Sequence, residues 1–296
     1  MRIAVTGASG LIGTTLVPAL RDAGHEVLRL VRHDAARADE IAWDPARRRL
    51  EPQALAGVDA VIHLAGVGVG DHRWTNAYKT QILSSRVDGT LTLARAIANA
   101  QPRPRVLLSA SGIDYYAKAA AAAVDEGAPA GSGFLAQTCV AWERATAPAE
   151  EAGVRVVHLR TGIVLARNGG SLGRMLPLFR LGLGGRLGSG RQVWSWISLP
   201  DYCSAIHFLL SADGISGPVN LTAPGAVTNA EFTAALARVV HRPALLPVPA
   251  TALRLALGGL ADEGVLAGQR VRPAVLEAAG FTFAHPDIDT ALGAVL

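Results

Sequence analysis

Thr6-Gly7-Ala8-Ser9-Gly10-Leu11-Ile12-Gly13 is the stretch on which the reading of the fold turns. It follows a short apolar run, Ile3-Ala-Val-Thr6. It precedes Leu11–Ala23, where Leu11, Ile12, Leu16, Val17 and Leu20 recur at helical spacing up to Gly24, a helix-stop signal. Strand, glycine-rich turn and helix, in that order, are the context a dinucleotide-binding βαβ unit requires. Gly7 permits a sharp turn off the strand. Gly10 lets the backbone approach a pyrophosphate with no Cβ in the way, and Gly13 is expected to let the helix pack close to the strand. With Ser9, Leu11 and Ile12, these glycines bring the helix N-terminus, with its free N–H groups and partial positive charge, to the phosphates.

Outward from the loop, strand-like runs at 26–31, 59–64, 105–109 and 154–159 alternate with helical patterns at 80–100 and 134–152. Nearly apolar strands alternating with helices imply a parallel sheet covered on both faces, a Rossmann-type doubly wound α/β fold. The expected division is a Rossmann domain over 1–165, completed by about 196–225. Residues 166–195 and 226–296 then form a small C-terminal α+β lobe over the sheet's C-terminal edge. Residues 166–195 hold many glycines and few strand signals, whereas Thr228-Asn-Ala-Glu231 reads as a capping box opening a helix.

Composition removes other classes. Of 296 residues, 50% are hydrophobic and 18% charged, the reverse of a disordered chain. The two cysteines, Cys139 and Cys203, form no CxxC, so neither a disulfide scaffold nor a cysteine-rich zinc site is expected; a reducing, cytoplasmic setting fits. The eight histidines show no ligand spacing, and no metal is expected. No run of 18 apolar, uncharged residues exists, so no membrane span is expected, and no leader is expected before the first strand. The net charge of +4 is carried by scattered arginines, which gives no reason to expect nucleic acid.

The end of the second strand selects the cofactor. An NAD protein places an acid there for the ribose 2′-hydroxyl; an arginine suits a 2′-phosphate. Arg32 stands at this point, and Asp34 comes two residues late. NADP(H) is therefore the expected cofactor; the competing reading makes Arg32 an exposed strand-end residue. His63, inside an apolar strand, reads as a satisfied core histidine.

The Thr-Gly-x-x-Gly-x-x-Gly loop, with Leu64-Ala65-Gly66 after the third strand, resembles the extended short-chain dehydrogenase/reductase superfamily. Ser84-Ser85-Arg86, Ser109-Ala110-Ser111-Gly112-Ile113-Asp114-Tyr115-Tyr116, Leu159-Arg160-Thr161-Gly162 and Gly268-Gln269-Arg270-Val271 resemble one branch of it, the "epimerase family" proteins of YfcH/SDR39U type. The resemblance implies NADP(H) in a cleft between the two lobes. Gly7, Ser9, Gly10, Leu11, Ile12 and Gly13 would hold the pyrophosphate, and Arg32 the 2′-phosphate. Leu64, Ala65 and Gly66 would pass along the adenosine, while Gln81 and Arg86 would face the cofactor. It also implies a homodimer through the helices at 80–100 and 134–152.

One element of that superfamily is missing. Its reductases use a Tyr-x-x-x-Lys pair, the ammonium lowering the phenol pKa so that it exchanges a proton with substrate. Four residues after Tyr78, Tyr115, Tyr116 and Tyr202 stand Ile82, Ala119, Ala120 and Ile206, so the pair does not exist here. What remains is Ser111, which either bonds a substrate carbonyl or bonds local backbone, and the phenol of Tyr115, with Lys118 near in sequence. Trp74, Phe179, Trp194 and Trp196 line a pocket or simply pack. The Ala119–Ala123 run departs from the family pattern. Two functions stand: an oxidoreductase or epimerase of an unknown carbonyl or nucleotide-sugar-like substrate, and an NADP(H)-responsive regulatory or interaction protein without turnover.

Overall fold

The computed structural model describes residues 1–118 and 122–296, so Ala119 to Ala121 of the alanine run lie outside the described residues. The first half runs β1 (Arg2–Thr6), α1 (Gly13–Asp22), β2 (Glu26–Val31), β3 (Glu40–Ala42), β4 (Ala60–His63), α2 (Asn76–Asn99), β5 (Val106–Gly112), α3 (Phe134–Arg144), α4 (Ala147–Glu151) and β6 (Arg155–Thr161). The second half runs β7 (Ile163–Leu165), α5 (Gly170–Arg180), β8 (Val193–Trp194), β9 (Trp196–Ser198), α6 (Leu199–Ser211), β10 (Gly217–Leu221), β11 (Val227–Thr228), α7 (Asn229–Val239), α8 (Ala250–Leu257), α9 (Ala274–Ala278) and α10 (Ile288–Val295).

Seven parallel strands form the main sheet in the order β10-β6-β5-β4-β1-β2-β3. The chain steps from β1 outward to β2 and β3, then returns to β4 on the other side of β1. The loops after β1 and β4 therefore diverge and leave a crevice at the carboxyl ends of these strands. Alternate side chains face opposite layers. Ile3, Val5, Ile62, Leu108 and Leu159 pack on Leu16 and Leu20 of α1 and Ile206 and Leu209 of α6. Ala4, Val61, Leu107 and Val156 pack on Leu93 and Ile97 of α2. A third apolar centre joins α5, α7 and α10 through Leu176, Phe179, Trp194, Trp196, Phe232 and Leu292. Phe179, Trp194 and Trp196 are thus core residues, and Trp74 is buried beside Tyr78 and Leu135.

Four local expectations are corrected. The helix read over 134–152 is two helices, because Pro148 lacks the N–H that would continue it and the Thr146 hydroxyl bonds the Glu143 carbonyl at 2.7 Å. The long helix starts at Asn76 rather than Thr80, because the Thr75 hydroxyl caps the Tyr78 N–H at 3.1 Å. The glycine-rich 166–195 stretch contains α5, which buries Leu172, Leu176 and Phe179 on one face. Gly13, expected to ease helix-on-strand packing, instead abuts the loop: a Cβ there would lie 2.3 Å from the Gly7 carbonyl oxygen. The capping box at Thr228 and Glu231 is present.

Gly13→Ala should therefore lower the unfolding free energy by about 1–3 kcal/mol, the usual cost of overpacking. Gly293→Ala, inside α10 with open space around it, should raise it by about 0.5–1 kcal/mol. Denaturant titration of the two variants against the parent checks both signs.

Candidate cofactor crevice and the strand ends around it

The crevice is built on a backbone contact. Gly7 has φ +70°, and a Cβ on it would lie 2.8 Å from the carbonyl carbon of Leu64, so β1 and the turn after β4 touch main chain to main chain. Beside it the Thr6 hydroxyl accepts the N–H groups of Leu64 at 3.1 Å and Ala65 at 3.2 Å. Its own hydrogen then goes to Nδ1 of His63 at 2.7 Å. This fixes the neutral tautomer of His63 with hydrogen on Nε2, an atom that is buried without a partner. His63 is thus only half satisfied, and burial pushes its pKa down to about 4.

Gly10 donates to the Gly7 carbonyl at 2.9 Å, closing the loop, and Ser9 and Gly10 are exposed. Ile12 sits at the N-cap of α1 and offers no side-chain oxygen, so no side chain caps the first turn. That is the condition under which a helix start accepts an anion. Leu11 and Ile12 are half-buried; Leu11 packs toward Gly169 and Gly170 at the start of α5. Leu64 and Ala65 are half-buried and Gly66 is exposed at the facing rim.

Arg32 is exposed directly after β2, and among the described residues no carboxylate pairs with it. Two of the acids nearby, Asp39 and Glu40, are taken. Asp39 binds Arg29 at 3.1 Å and Arg21 at 2.6 Å, and the Arg29 guanidinium foremost holds its carboxyl at about 2. Glu40 binds Arg29 at 2.9 Å.

Arg86 of α2 is a half-buried cation that forms no ion pair among the described residues. Its guanidinium donates to the Val67 carbonyl at 2.9 Å and lies 4.9 Å from the Trp142 ring, beneath Gly66. Burial pulls its pKa down from the ordinary arginine value. Gln81 is exposed on the same helix. Lys79 lies 5.3 Å from Trp74 and 5.1 Å from Phe134, clamping the 67–75 loop to the start of α3.

The end of β5 is bound into a polar network that sequence reasoning missed. Ser111 is buried and donates to Glu143 at 2.7 Å. Glu143 is held in two-point contact by Arg160 at 2.8 and 2.9 Å. Arg160 also donates to the Tyr116 hydroxyl at 2.9 Å, and Tyr116 donates to Asn220 at 2.7 Å. The signal available beforehand was Arg160 itself, a charge near the end of β6 directly after the apolar Leu159. Tyr115 is half-buried, with the Arg160 guanidinium 3.5 Å from its ring centre and no hydrogen bond to its hydroxyl among the described residues. Lys118 is paired with Asp114. Leu135 and Cys139 occupy the first turns of α3, both buried, and burial pushes the Cys139 thiol up to about 12.

The C-terminal segment braces these loops. Gln269 donates to the Ile113 carbonyl at 2.6 Å, Ser195 donates to the Gln269 carbonyl at 2.9 Å, and Glu263 accepts the Leu135 N–H at 3.0 Å.

A family model described as the NAD dependent epimerase/dehydratase family matches residues 3–221. The chain belongs to that family. A second model, a domain of unknown function (DUF1731), matches residues 248–295 of this family member. An epimerase family protein of Mycobacterium tuberculosis is 50% identical over 291 residues, covering 98% of this chain and 96% of its own. The human epimerase family protein SDR39U1 is 34% identical over 295 residues, covering 99% and 98%. The crystal structure of human SDR39U1 (isoform 2) with NADPH superposes with a TM-score of 0.93, at 34% identity and 100% and 99% coverage. A nucleoside-diphosphate sugar epimerase structure from Corynebacterium glutamicum gives 0.80 at 34% identity, with this chain spanning 59% of that one. Among the described residues, no helix is long and apolar enough to cross a membrane, and no group of three or more metal-ligating side chains occurs.

The His63 environment has a pH signature. The unfolded chain takes a proton at His63 below about pH 6.5, whereas the folded chain refuses it until about pH 4. This part of the stability is therefore lost as pH falls through that window, by roughly 3 kcal/mol in total at 1.36 kcal/mol per pKa unit. His63→Gln should flatten the difference between unfolding free energies at pH 7 and pH 4.5. An unchanged pH slope in the variant would contradict the assignment.

Proposed function

We propose that the protein binds NADP(H) in the crevice between β1 and β4 and acts as an oxidoreductase or epimerase on a carbonyl or nucleotide-sugar-like substrate. The observation that carries the cofactor reading is the uncapped start of α1 behind Gly7 and Gly10, together with an Arg32 that no carboxylate neutralises. Gly7, Ser9, Gly10, Leu11, Ile12 and Gly13 would hold the diphosphate. Arg32 would take the 2′-phosphate in a charge-assisted contact. Leu64, Ala65 and Gly66 would flank the adenosine, Gln81 would reach in from α2, and Arg86 would present a cation under Gly66. The presence of NADPH in the human relative's crystal structure supports the choice of the phosphorylated nucleotide.

When bound, the nicotinamide supplies hydride exchange. The chain's own part is to position substrate and move a proton. Tyr115 is the phenol proposed for the proton, because its hydroxyl has no competing partner among the described residues. Ser111 has already given its hydrogen to Glu143, so it accepts from a substrate hydroxyl but does not donate to a substrate carbonyl in this arrangement. That same commitment, with Lys118 held by Asp114, favours the second reading, an NADP(H)-responsive regulatory protein without turnover. A homodimer through α2 and the α3–α4 pair, in the cytoplasm, completes the proposal.

In calorimetric titration, NADPH should bind more tightly than NADH, and Arg32→Ala should remove about 1–3 kcal/mol of that preference. Equal affinities in the parent protein would refute the assignment of Arg32. Transfer of deuteride from labelled NADPH to a panel of aldehydes, ketones and nucleotide sugars separates the two functions. Turnover that drops at least tenfold in Tyr115→Phe supports the enzyme. Tight NADPH binding with silence across the panel supports the regulator.

A further inference from the structure

One exposed surface of the C-terminal lobe breaks the usual rule for large apolar side chains. Leu178, Leu181 and Leu183, at the end of α5 and in the turn after it, are 51%, 72% and 50% exposed; Leu245 and Leu246 are 81% and 53% exposed. The two groups are neighbours in space. The Arg242 side chain donates to the Arg180 carbonyl at 3.3 Å, the Leu246 N–H donates to the Gly184 carbonyl at 3.3 Å, and the Pro243 ring lies 3.9 Å from where a Cβ on Gly182 would be. Singly exposed leucines need no explanation; five on two adjoining turns form a patch of the kind that takes a partner.

The chain segments that carry the patch hold basic charge only, and Asp289 of α10 reaches the neighbouring Arg238. From 152 to 200 and from 232 to 261 the sequence contains arginines and no Asp or Glu. Arg180 and Arg242 form no ion pair among the described residues, and the neighbouring Arg238 is held by Asp289 at 2.6 Å. Beside the leucines, Ala237, Arg238, His241, Arg242 and Pro243 line a shallow open depression of about 590 Å³.

We propose that this surface docks on an anionic phospholipid bilayer. Leu181, Leu183, Leu245 and Leu246 would enter the interface, and Arg180 and Arg242 would meet the lipid phosphates. Leucines projecting beside the unpaired Arg180 and Arg242 combine the two terms of interfacial binding, apolar burial and attraction to anionic headgroups. A second copy of this chain is disfavoured by charge, because a two-fold contact would set the same arginines against each other. A protein partner is disfavoured by composition. Protein interfaces concentrate their binding energy in Trp, Tyr and Arg, with Leu under-represented, and no aromatic side chain is among the exposed large hydrophobics here. Docking on a bilayer face requires no crossing helix, and it is independent of the cofactor reading.

The test is co-sedimentation of the full chain with vesicles of phosphatidylcholine alone or with phosphatidylserine. Binding should be at least tenfold greater to the anionic vesicles and should weaken as salt rises. Leu181→Asp with Leu245→Asp should reduce it at least tenfold, and Arg180→Glu should lower the salt concentration at half-binding. These side chains are exposed, so the thermal midpoint and NADPH affinity should not move, which separates lost docking from lost folding. Absence of binding to anionic vesicles overturns the proposal. So does binding that responds to salt but not to the leucine changes, because that is attraction to charge without docking. Self-association in sedimentation velocity that the leucine variant abolishes, without vesicle binding, also overturns it and assigns the surface to a second copy.

Discussion

The structure depends on the contact between the end of β1 and the turn after β4. Gly7 presses main chain on main chain against Leu64, and the Thr6 hydroxyl satisfies two N–H groups of that turn while donating to His63. Each partner constrains the others. A side chain on residue 7 would push the strands' exits apart, and loss of the hydroxyl would leave the half-buried Ala65 N–H without its acceptor and Leu64 with only the longer 3.3 Å bond to the Thr6 carbonyl. Because the crevice lies between these exits, its width is set by Gly7 and Thr6 together. The remainder of the loop, Gly10 to Gly13, is folded against the same Gly7 carbonyl. The glycine-rich turn and the strand crossover are therefore one mechanical unit.

A second constraint acts at β5. Ser111, Glu143, Arg160, Tyr116 and Asn220 form one buried chain of hydrogen bonds linking β5, α3, β6 and β10. Arg160 is buried and its charge is met by Glu143 in bidentate contact, so the pair is held by geometry rather than by water. The network explains why a serine at this strand end is not by itself a sign of carbonyl chemistry: its hydrogen has another use. It also places Tyr115, stacked under Arg160, as the phenol left over.

The C-terminal segment bears on both regions. Glu263 supplies the start of α3 with the acceptor that Gly133 cannot offer, from 128 residues away. Gln269 holds the turn after β5 through the Ile113 carbonyl. The loops at the strand ends are thus braced by a part of the chain that contributes no strand to the main sheet, while its outer surface is free to carry the leucine and arginine patch.

Much of this was legible from residues alone. The parallel sheet and the glycine-rich turn between β1 and α1 follow from period and glycine placement, because both are local: a strand, a turn and a helix adjacent in sequence must be adjacent in space. The missing Tyr-x-x-x-Lys pair is likewise a fact of spacing. Pro148 marks the break between α3 and α4, whereas α5 is hidden in sequence because its glycines mask three leucine and phenylalanine positions that only burial reveals as a face. What sequence could not decide is where each polar group spends its hydrogen bonds. Ser111 meets Glu143 across 32 residues, Tyr116 meets Asn220 across 104, and Glu263 meets Leu135 across 128. Such partnerships are set by which strands lie side by side and which helix crosses them. Period and spacing specify the elements, and only their packing brings distant donors and acceptors to within 3 Å.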